Sequence, residues 1–303
     1  MTTPRLRPPS RARFGRALAA WHGTMRRDLP VRRATEPWPI LVAEVMSQQT
    51  QIERIGPAWE RFVGRWFEPS GLAAADTRDL LRAWAGLGYN RRALALREAA
   101  RTIVREHGGR VPGTVLELER LSGVGPYTAR AVAASAFGVP VAPLDVNVRR
   151  VVGRVVGGAV PPPRLQDAAD WFVSREDPRA WVDAVMDLAA TVCTARAPRC
   201  VACPLAGMCR SAGSIGPSAR NRTAPASRPA PATPATPFRR TNRWLRGRLL
   251  ASVRDAPAGS WVDAPDGLGE HDREAVLAAM RGLERDGFVE FRDGRARLAS
   301  DRP

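Results

Sequence analysis

The chain has 303 residues, a formal net charge of +17 and a hydrophobic fraction of 44%. That fraction is enough to build a core, which excludes wholesale disorder. All 47 basic residues are arginine and no lysine occurs, which excludes mechanisms that need a lysine Schiff base or a phosphate-loop lysine. No apolar run approaches the roughly 20 residues of a membrane-spanning helix. Three scattered histidines argue against a His-rich metal site or a Ser-His-Asp triad.

Most of the positive charge lies in residues 1–238, which carry a net +15, whereas residues 239–303 carry +2. A GC-rich genome explains arginine in place of lysine but not this excess. Nucleic acid is the expected partner, because binding to phosphates releases counterions. The basic N-terminus lacks the apolar stretch of a secretion signal. We therefore expect a soluble, cytoplasmic, nucleoid-associated bacterial protein with no membrane partner and no nucleotide cofactor.

Residues 1–210 are predicted to be mainly helical. Apolar residues recur at helical spacing, Gly and Pro separate the segments, and no long alternating strand pattern appears. The predicted helices cover residues 38–46, 57–67, 76–87, 92–106, 128–137, 165–173 and 181–193.

Residues 211–238 contain six prolines among Ala, Ser and Thr, which is typical of a semi-extended linker. Beyond it, helices are predicted at about 241–254 and 271–286. Alternating residues at 288–291 and 295–298 then flank an Asp-Gly hairpin signal. Helices that end in a hairpin resemble a winged helix. Because its net charge is small, the module 239–303 fits a packing or protein-contact role as well as DNA binding.

The four cysteines of the chain lie within 17 residues in the spacing C-x6-C-x2-C-x5-C, at Cys193, Cys200, Cys203 and Cys209. A disulfide pair is disfavoured in a reducing compartment. Four thiolates at short spacing suit a tetrahedral zinc ion or a [4Fe–4S] cluster, and the spacing alone does not choose between them.

A Gly-x-Gly turn, Gly123-Val124-Gly125, is predicted between a helix that ends near Leu121 and one that begins at Pro126. Glycines at alternate positions let backbone N–H groups point outward, and a helix N-terminus attracts anions such as a DNA phosphate. Taken alone, such a turn is more often a purely structural connection.

About 20 residues after this turn comes Leu144-Asp145-Val146-Asn147, and the cysteine cluster follows. In this order, over roughly residues 14–210, the motifs resemble those of the helix-hairpin-helix DNA glycosylases related to endonuclease III and MutY. The resemblance implies a mainly α fold with two helical lobes, a glycosylase domain at 1–210, and double-stranded DNA with a mismatch or lesion as partner. It also implies that the cysteines hold a [4Fe–4S] cluster, structural or redox-active, that does not perform hydrolysis. We expect a monomer.

The resemblance assigns the chemistry to two carboxylates. Residues 43–50 (AEVMSQQT) resemble the MutY segment whose Glu, here Glu44, is the general acid. Breaking an N-glycosidic bond builds positive charge on the sugar and negative charge on the leaving base. Glu44 is therefore expected in an apolar pocket that keeps it protonated. Asp145 is expected to stay ionised beside the sugar, positioned by Asn147 and Tyr127. Without the resemblance, Glu44 fits an ordinary surface residue and Tyr127 a buried aromatic.

The residue two positions after the second hairpin glycine indicates the type of activity. Lyases of the endonuclease III type carry a lysine there, and this chain has Tyr127. With no lysine in the chain, we expect a monofunctional glycosylase without Schiff-base strand cleavage.

Further DNA contacts follow from the same resemblance. In MutY enzymes the Gln-Thr pair wedges into the duplex, and the Tyr of the Gly-Leu-Gly-Tyr loop stacks beside the base opposite the target. Flipping the target nucleotide leaves a gap that Gln49 and Tyr89 would fill. Arg149 and Arg150 fit phosphate contacts and solvated charges equally well. The expected DNA-binding residues are Gln48, Gln49, Thr50, Tyr89, Gly123, Val124, Gly125 and Arg149.

The base pocket departs from the MutY pattern. Val31 replaces the Trp of Leu-Pro-Trp-Arg, Ser47 replaces a Leu, Asn90 replaces an aromatic residue, and Val146 replaces the Gly of Asp-Gly-Asn. A pocket carboxylate is expected at Asp187. We expect no Nudix-like domain for recognising 8-oxoguanine, because the module 239–303 stands where MutY proteins commonly carry one. The expected pocket residues are Val31, Arg32, Ser47 and Asp187.

The leading interpretation is a monofunctional glycosylase that removes adenine opposite 8-oxoguanine or guanine. One alternative, motivated by Val31 and Ser47, keeps the fold but changes the base to thymine, uracil or hypoxanthine. The other is a non-catalytic DNA-binding iron–sulfur protein, and the presence of both carboxylates argues against it.

Overall fold

The structure is a computed structural model that describes residues 9–50, 52, 55–157, 160–215, 237–257 and 259–300. Its helices in chain order are α1 (Arg11–Met25), α2 (Pro37–Ser47), α3 (Gly56–Arg65), α4 (Pro69–Ala73), α5 (Thr77–Ala83), α6 (Arg91–His107), α7 (Val115–Glu119), α8 (Pro126–Phe137), α9 (Val146–Val156), α10 (Pro162–Phe172), α11 (Pro178–Thr191), α12 (Asn242–Asp255) and α13 (Arg273–Arg285). Its strands are β1 (Val262–Asp263), β2 (Val289–Arg292) and β3 (Arg295–Leu298).

The internal contacts divide the chain into two units. Unit 1 contains Met1–Trp59 and Arg110–Pro225, and unit 2 contains Glu60–Gly109 and Ala226–Pro303. Each unit is therefore assembled from two separate stretches of the chain.

One core of unit 1 lies among α1, α9, α10 and α11. In α9 the buried residues Val148, Val151, Val152 and Val155 repeat at the spacing that puts them on one helix face. Around them, Phe14 of α1 stacks on Phe172 of α10, with ring centroids 4.3 Å apart. A buried face of this kind fixes the rotation of α9 and so fixes the direction of the residues at its N-terminus.

In unit 2 the C-terminal helices share a core with an earlier part of the chain. Leu81 of α5 belongs to the same buried cluster as Leu245 and Leu249 of α12 and Met280 of α13. Transfer of such side chains from water is worth roughly 1.5–3 kcal/mol each. Residues 237–300 are thus packed onto helices that precede them by about 150 residues.

A three-stranded antiparallel sheet completes unit 2 in the order β1-β3-β2. Strands β2 and β3 form a hairpin in which Val289 pairs with Leu298 and Arg292 with Arg295. The turn residues Asp293 and Gly294 have φ of 49° and 77°, the backbone that Asp-Gly favours in a two-residue hairpin loop.

The structure confirms the helices predicted from apolar spacing, with ends shifted by a few residues. The largest shift is at α5, which ends at Ala83 rather than at residue 87, because Gly86 and Gly88 adopt left-handed φ of 86° and 68°. The hairpin and its two preceding helices are also present. Residues 216–236 of the expected linker lie outside the described residues, so the division at 211–238 stays a prediction. Within the described residues, no helix has the length and apolar character needed to cross a membrane.

Candidate active site and iron–sulfur loop

Glu44 lies on α2 between two buried apolar residues, Ala43 and Val45. Its own side chain keeps part of its surface open to solvent. Burial, followed by the negative charges of Asp183 and Asp145, raises the pKa of Glu44 from 4.5 to about 7. A substantial fraction of Glu44 therefore carries a proton near neutral pH, as a general acid requires.

Asp145 is the N-cap residue of α9. Its Oδ1 atom accepts hydrogen bonds from the backbone N–H groups of Asn147 at 2.8 Å and Val148 at 2.7 Å. Its Oδ2 atom accepts from Nδ2 of Asn147 at 2.7 Å. A helix N-terminus stabilises negative charge. The three donors fix the direction of the carboxylate and complement its charge, which suits a group that must stabilise a cationic sugar.

Tyr127 lies in the first turn of α8, directly after the hairpin. Burial raises its pKa well above the ordinary value of 10, and the charges of Glu44 and Asp145 add to the effect. The phenol is therefore a neutral hydroxyl at physiological pH, within electrostatic range of both carboxylates. The structure thus brings Glu44, Asp145 and Tyr127 together, with Asn147 bonded to Asp145.

A carboxylate that the sequence analysis missed belongs to the same group. Asp183 lies on α11, one helical turn before Asp187, and contributes more than Asp145 does to the raised pKa of Glu44. Burial raises the pKa of Asp183 itself, although three nearby arginines counteract the effect. The spacing of two acidic residues at positions i and i+4 on one helix was the available signal.

Asp187 does not present a carboxylate to a base in this structure. The residue is fully buried, with 0% of its surface exposed. Its oxygens accept from Arg32 Nη1 at 2.8 Å and Nη2 at 2.9 Å, and from Arg27 Nε at 2.6 Å, and His22 Nε2 lies 3.1 Å from Oδ2. Burial opposes ionisation, but hydrogen bonds from Arg32 and Arg27 outweigh it and hold the pKa of Asp187 at about 2. The expectation of a pocket carboxylate at this position is corrected: α11 turns Asp187 into the protein.

The other expected pocket residues lie at the ends of short elements. Val31 is buried in the 3-10 turn Pro30–Arg33. Ser47 is the last residue of α2, and its hydroxyl donates to the carbonyl of Ala43 at 2.7 Å. Arg32 follows Val31, and its Nε lies 3.0 Å from Oδ1 of Asp183. Arg32 therefore holds Asp183 in place near Glu44.

The three polar residues after α2 have different surroundings. Gln48 donates from Nε2 to the carbonyl of Gly123 and to Oγ1 of Thr128, both at 3.1 Å, which ties the end of α2 to the hairpin. Thr50 is half-buried. Gln49 is exposed and has a φ of 57°, an uncommon conformation for a residue other than glycine. Of the three, Gln49 is the one turned toward solvent.

The hairpin has the predicted boundaries, between α7 and α8. Its central residue Val124 is buried and donates its N–H to the carbonyl of Leu121 at 3.1 Å. Gly123 and Gly125 are exposed, and Gly123 needs its φ of 78°. Gly125 has an ordinary φ of −93°, and a Cβ there would meet nothing within 4 Å. The fold therefore does not require glycine at Gly125, whose bare backbone leaves room for a close approach by a ligand.

Tyr89 lies in unit 2, at the end of a loop with positive φ at Gly86, Gly88 and Tyr89 itself. The Tyr89 side chain is 42% exposed, which is high for an aromatic residue. An exposed ring on a loop of defined backbone is available for stacking.

Two consecutive arginines of α9 have different roles. Arg149 is exposed, as a phosphate contact requires. Arg150 donates from Nη2 to Oδ1 of Asn147 at 3.1 Å and from Nε to the carbonyl of Cys193 at 2.8 Å. Arg150 thus links the residue that holds Asp145 to the first cysteine, a function that the sequence analysis did not assign.

The four cysteines line one small pocket, together with Arg154 and Val192. Burial raises the pKa of Cys203, and the other three thiols raise it as well, so all four lie close enough to interact. Arg154 Nη1 lies 3.3 Å from Sγ of Cys193 and donates to the carbonyl of Thr194 at 2.8 Å. Among the described residues no three His, Cys, Asp or Glu side chains are grouped as on one metal ion; the cluster assignment rests on this ring of thiols and on the family comparison below.

Two family models match the chain. The model of the HhH-GPD superfamily of base excision DNA repair proteins matches residues 42–185. The model of the iron-sulfur binding domain of endonuclease III matches residues 193–209, from Cys193 to Cys209. Residues 193–209 therefore form an iron–sulfur binding domain, and Cys193, Cys200, Cys203 and Cys209 are the residues that would hold its [4Fe–4S] cluster. Thiolate ligation of this kind would couple cluster binding to folding of the loop.

Solved structures agree with the fold. A thermostable thymine-DNA glycosylase matches with a TM-score of 0.63 and 29% identity, over 66% of this chain and 95% of that one. Endonuclease III in a non-covalent DNA complex matches with a TM-score of 0.58 and 23% identity, over 71% of this chain and 99% of that one. The second likeness bears on the fold alone.

Curated relatives cover most of the chain. It is 39% identical to the adenine DNA glycosylase of Mycolicibacterium smegmatis over 291 residues, which are 94% of this chain and 95% of that protein. It is 44% identical to the adenine DNA glycosylase of Mycobacterium tuberculosis over 250 residues, covering 79% and 78% of the two chains. The chain therefore belongs to the MutY family of adenine DNA glycosylases, within the helix-hairpin-helix superfamily of base excision DNA repair proteins.

Proposed function

We propose that the protein is a monofunctional glycosylase that hydrolyses the N-glycosidic bond of adenine mispaired with 8-oxoguanine or guanine. The observation that carries the proposal is the pairing of a protonatable carboxyl, Glu44, with a carboxylate held by three donors, Asp145. Two carboxyl groups whose environments differ in this way divide the acid and charge-stabilising roles between them.

In the proposed reaction the bond between the adenine nitrogen and the sugar breaks, and its electron pair leaves with the base. Glu44 donates its proton to the departing adenine, a step typically worth about 10²–10⁴-fold in rate. Asp145 stabilises the resulting cationic sugar, and Asn147 keeps its carboxylate in position. Water then adds to the sugar carbon and returns a proton to Glu44, which restores the enzyme.

Tyr127 supports this arrangement as a neutral hydroxyl beside both carboxylates. It also bears on the type of activity. A lyase step needs an amine that forms a Schiff base with the sugar, and the position expected for lysine holds Tyr127 in a chain with no lysine. We infer that the protein leaves an abasic site and does not cut the strand.

Duplex DNA with the mismatch is the proposed partner. The hairpin Gly123–Gly125 and the exposed Arg149 are suited to contact phosphates. The exposed Gln49 is suited to enter the space that the flipped nucleotide leaves. The exposed ring of Tyr89 is suited to stack on a base. Gln48 and Thr50 support Gln49 in this proposal, since Gln48 is bonded to the hairpin.

The test is a single-turnover assay on duplexes with adenine opposite 8-oxoguanine, guanine or thymine, and with uracil and hypoxanthine duplexes alongside. Products are read with and without alkali. We expect adenine release opposite 8-oxoguanine and guanine, with strand breakage only after alkali. Asp145→Asn should abolish turnover and leave duplex binding nearly intact. Cleavage without alkali would refute the monofunctional assignment, and intact adenine in every duplex would refute the adenine assignment.

A second base specificity has its own support. One of the similar solved structures is a thymine-DNA glycosylase, matched over 95% of its length. Val31 and Ser47 also depart from the usual MutY pocket. Under this alternative the same two carboxylates act on a mispaired thymine or uracil. A thymine–guanine and a uracil–guanine duplex in the same assay separate the two specificities.

A further inference from the structure

Arg243 of α12 makes two contacts with Tyr89. The carbon of its guanidinium lies 4.2 Å from the centroid of the Tyr89 ring. Its Nη1 atom donates a hydrogen bond to the Tyr89 hydroxyl at 2.9 Å. A planar guanidinium stacks well on an aromatic face. One side chain from the C-terminal segment thus restrains both the ring and the hydroxyl of Tyr89.

The backbone of the Tyr89 loop is held separately, by residues of its own stretch of chain. Trp84 Nε1 donates to the carbonyl of Gly88 at 3.1 Å. Arg92 Nη2 donates to the carbonyls of Leu87 and Gly88, each at 3.2 Å. These bonds fix the loop and the positive φ of Tyr89. Arg92 also lies over the Tyr89 ring, with its guanidinium carbon 5.5 Å from the ring centroid. Arg243 lies closer to the ring, at 4.2 Å, and in addition bonds the Tyr89 hydroxyl.

Helix α12 itself is anchored firmly enough to position a partner. Asp286 forms ion pairs with Arg91 of α6 and with Arg246 of α12. Arg82 of α5 donates to the backbone carbonyl of Arg254, at the end of α12, at 3.3 Å. Together with the shared apolar core, these contacts build α12 onto the two helices that flank the Tyr89 loop.

We propose that Arg243 is a positioning residue for Tyr89, through which residues 237–300 take part in recognising the base opposite the excised one. The inference rests on the proposed function in one respect, that Tyr89 contacts the DNA at that base. Arg243 is exposed, so its charge is also available to the DNA backbone. The segment therefore contributes through contact with Tyr89 rather than as an independent DNA-binding module, in keeping with its net charge of only +2.

The test is a double-mutant cycle on duplex binding that does not depend on base excision. The probe is a duplex with a tetrahydrofuran abasic analogue opposite 8-oxoguanine or guanine, bound by the full-length, cluster-loaded protein. We expect Arg243→Ala to weaken binding to the 8-oxoguanine duplex by roughly three- to tenfold. We also expect it to reduce the preference for 8-oxoguanine over guanine. Arg243→Lys, which keeps the charge but loses the planar stack, should behave more like Arg243→Ala than like the wild type. In a Tyr89→Ala background, Arg243→Ala should have only a small further effect.

Arg248→Ala is the matched control. Arg248 lies on the same helix, is exposed and carries the same charge. We expect it to change affinity less than twofold and to leave the preference for the opposite base unchanged. Tyr89→Phe, which removes only the hydroxyl acceptor, serves as a second route should Arg243→Ala prove unstable. It should reproduce part of the loss of preference.

The inference is overturned if Arg243→Ala equals Arg248→Ala, or if its effect is the same with and without Tyr89, since Arg243 would then act only as a charge. Failure of the proposed function gives a different result. A protein that releases no adenine but still shows coupling between Arg243 and Tyr89 in binding contradicts the assigned reaction and supports the positioning.

Discussion

Arg32 donates two hydrogen bonds to the carboxylate of Asp187, from Nη1 to Oδ2 at 2.8 Å and from Nη2 to Oδ1 at 2.9 Å. Its remaining nitrogen, Nε, lies 3.0 Å from Asp183 one helical turn away. One arginine therefore connects a fully buried carboxylate to a carboxylate that acts on the pKa of Glu44. The buried Asp187 stabilises the fold, and Asp183 influences the protonation of Glu44.

Asp187→Asn is expected to destabilise the protein by roughly 3–5 kcal/mol, because it removes the charge of the buried carboxylate that Arg32 and Arg27 share and leaves Arg32 paired with Asp183. The pKa of Asp187 is lowered to about 2. The contribution of the ionised Asp187 to the free energy of unfolding is thus fully present above about pH 4 and is lost as the pH falls toward 2. Thermal unfolding at pH 7 measures the loss. Asp28→Asn, which breaks an exposed pair with Arg33, is the control and should cost at most about 1 kcal/mol. Equal effects of the two changes would contradict the structural role of Asp187.

Asp183→Asn is expected to lower the pKa of Glu44, because the charge of Asp183 raises it. In the proposed reaction Glu44 donates a proton, so turnover should decline as the pH rises through about 7. The variant should begin this decline at lower pH. The readout is the pH dependence of the single-turnover rate rather than its maximum, since a general loss of packing would lower the rate without moving the profile. Asp167→Asn removes an exposed carboxylate of the same unit and should leave the profile where it is.

Glu44→Gln is expected to abolish turnover and to stabilise the fold, more so at alkaline pH. The folded state holds the Glu44 proton up to about pH 7, whereas the unfolded chain releases it near 4.5. Ionisation of Glu44 therefore costs stability progressively as the pH rises from 4.5 through 7. The neutral amide avoids this cost, which amounts to roughly 1 kcal/mol at pH 5 and roughly 3 kcal/mol at pH 8. Melting temperatures at the two pH values measure it. An equal gain at both, or a gain as large for the exposed Glu60→Gln, would refute the explanation.

Sequence patterns predicted most of the helices, the hairpin and the ligand loop because each depends on local spacing, but they did not predict α1, α4 or α9, the helix that Asp145 caps. The role proposed for Glu44 came from the resemblance of residues 43–50 to the MutY segment, because the residue pattern alone fits an ordinary surface glutamate. Which face of α11 points inward could not be predicted from the sequence. Asp183 and Asp187 lie one turn apart with similar neighbours in sequence, and Arg32 contacts both. The buried Asp187 is distinguished by its further contacts with Arg27 and His22, which are distant in sequence. The contact of Arg243 with Tyr89 spans 154 residues, and no local pattern encodes such a separation.

Arg150→Gln is expected to impair both turnover and cluster retention. The change removes the bonds of Arg150 to Asn147, which holds Asp145, and to the carbonyl of Cys193. Loss of a hydrogen-bond partner behind a metal ligand or an active-site group typically costs roughly 10- to 100-fold. The single-turnover rate and the visible absorbance of the cluster, followed over time, measure the two effects in the same sample.

The neighbouring residue, Arg149, supplies a matched control for the Arg150 variant. Arg149 carries the same charge one position earlier but is exposed. Arg149→Gln should leave the cluster absorbance unchanged and weaken DNA binding for all sequences alike, with the salt dependence of the binding constant reduced by about one phosphate contact. If instead both variants weaken binding equally and neither affects the cluster, Arg150 acts only through its charge. The hydrogen bonds that join Asn147 to Cys193 would then have no part in catalysis.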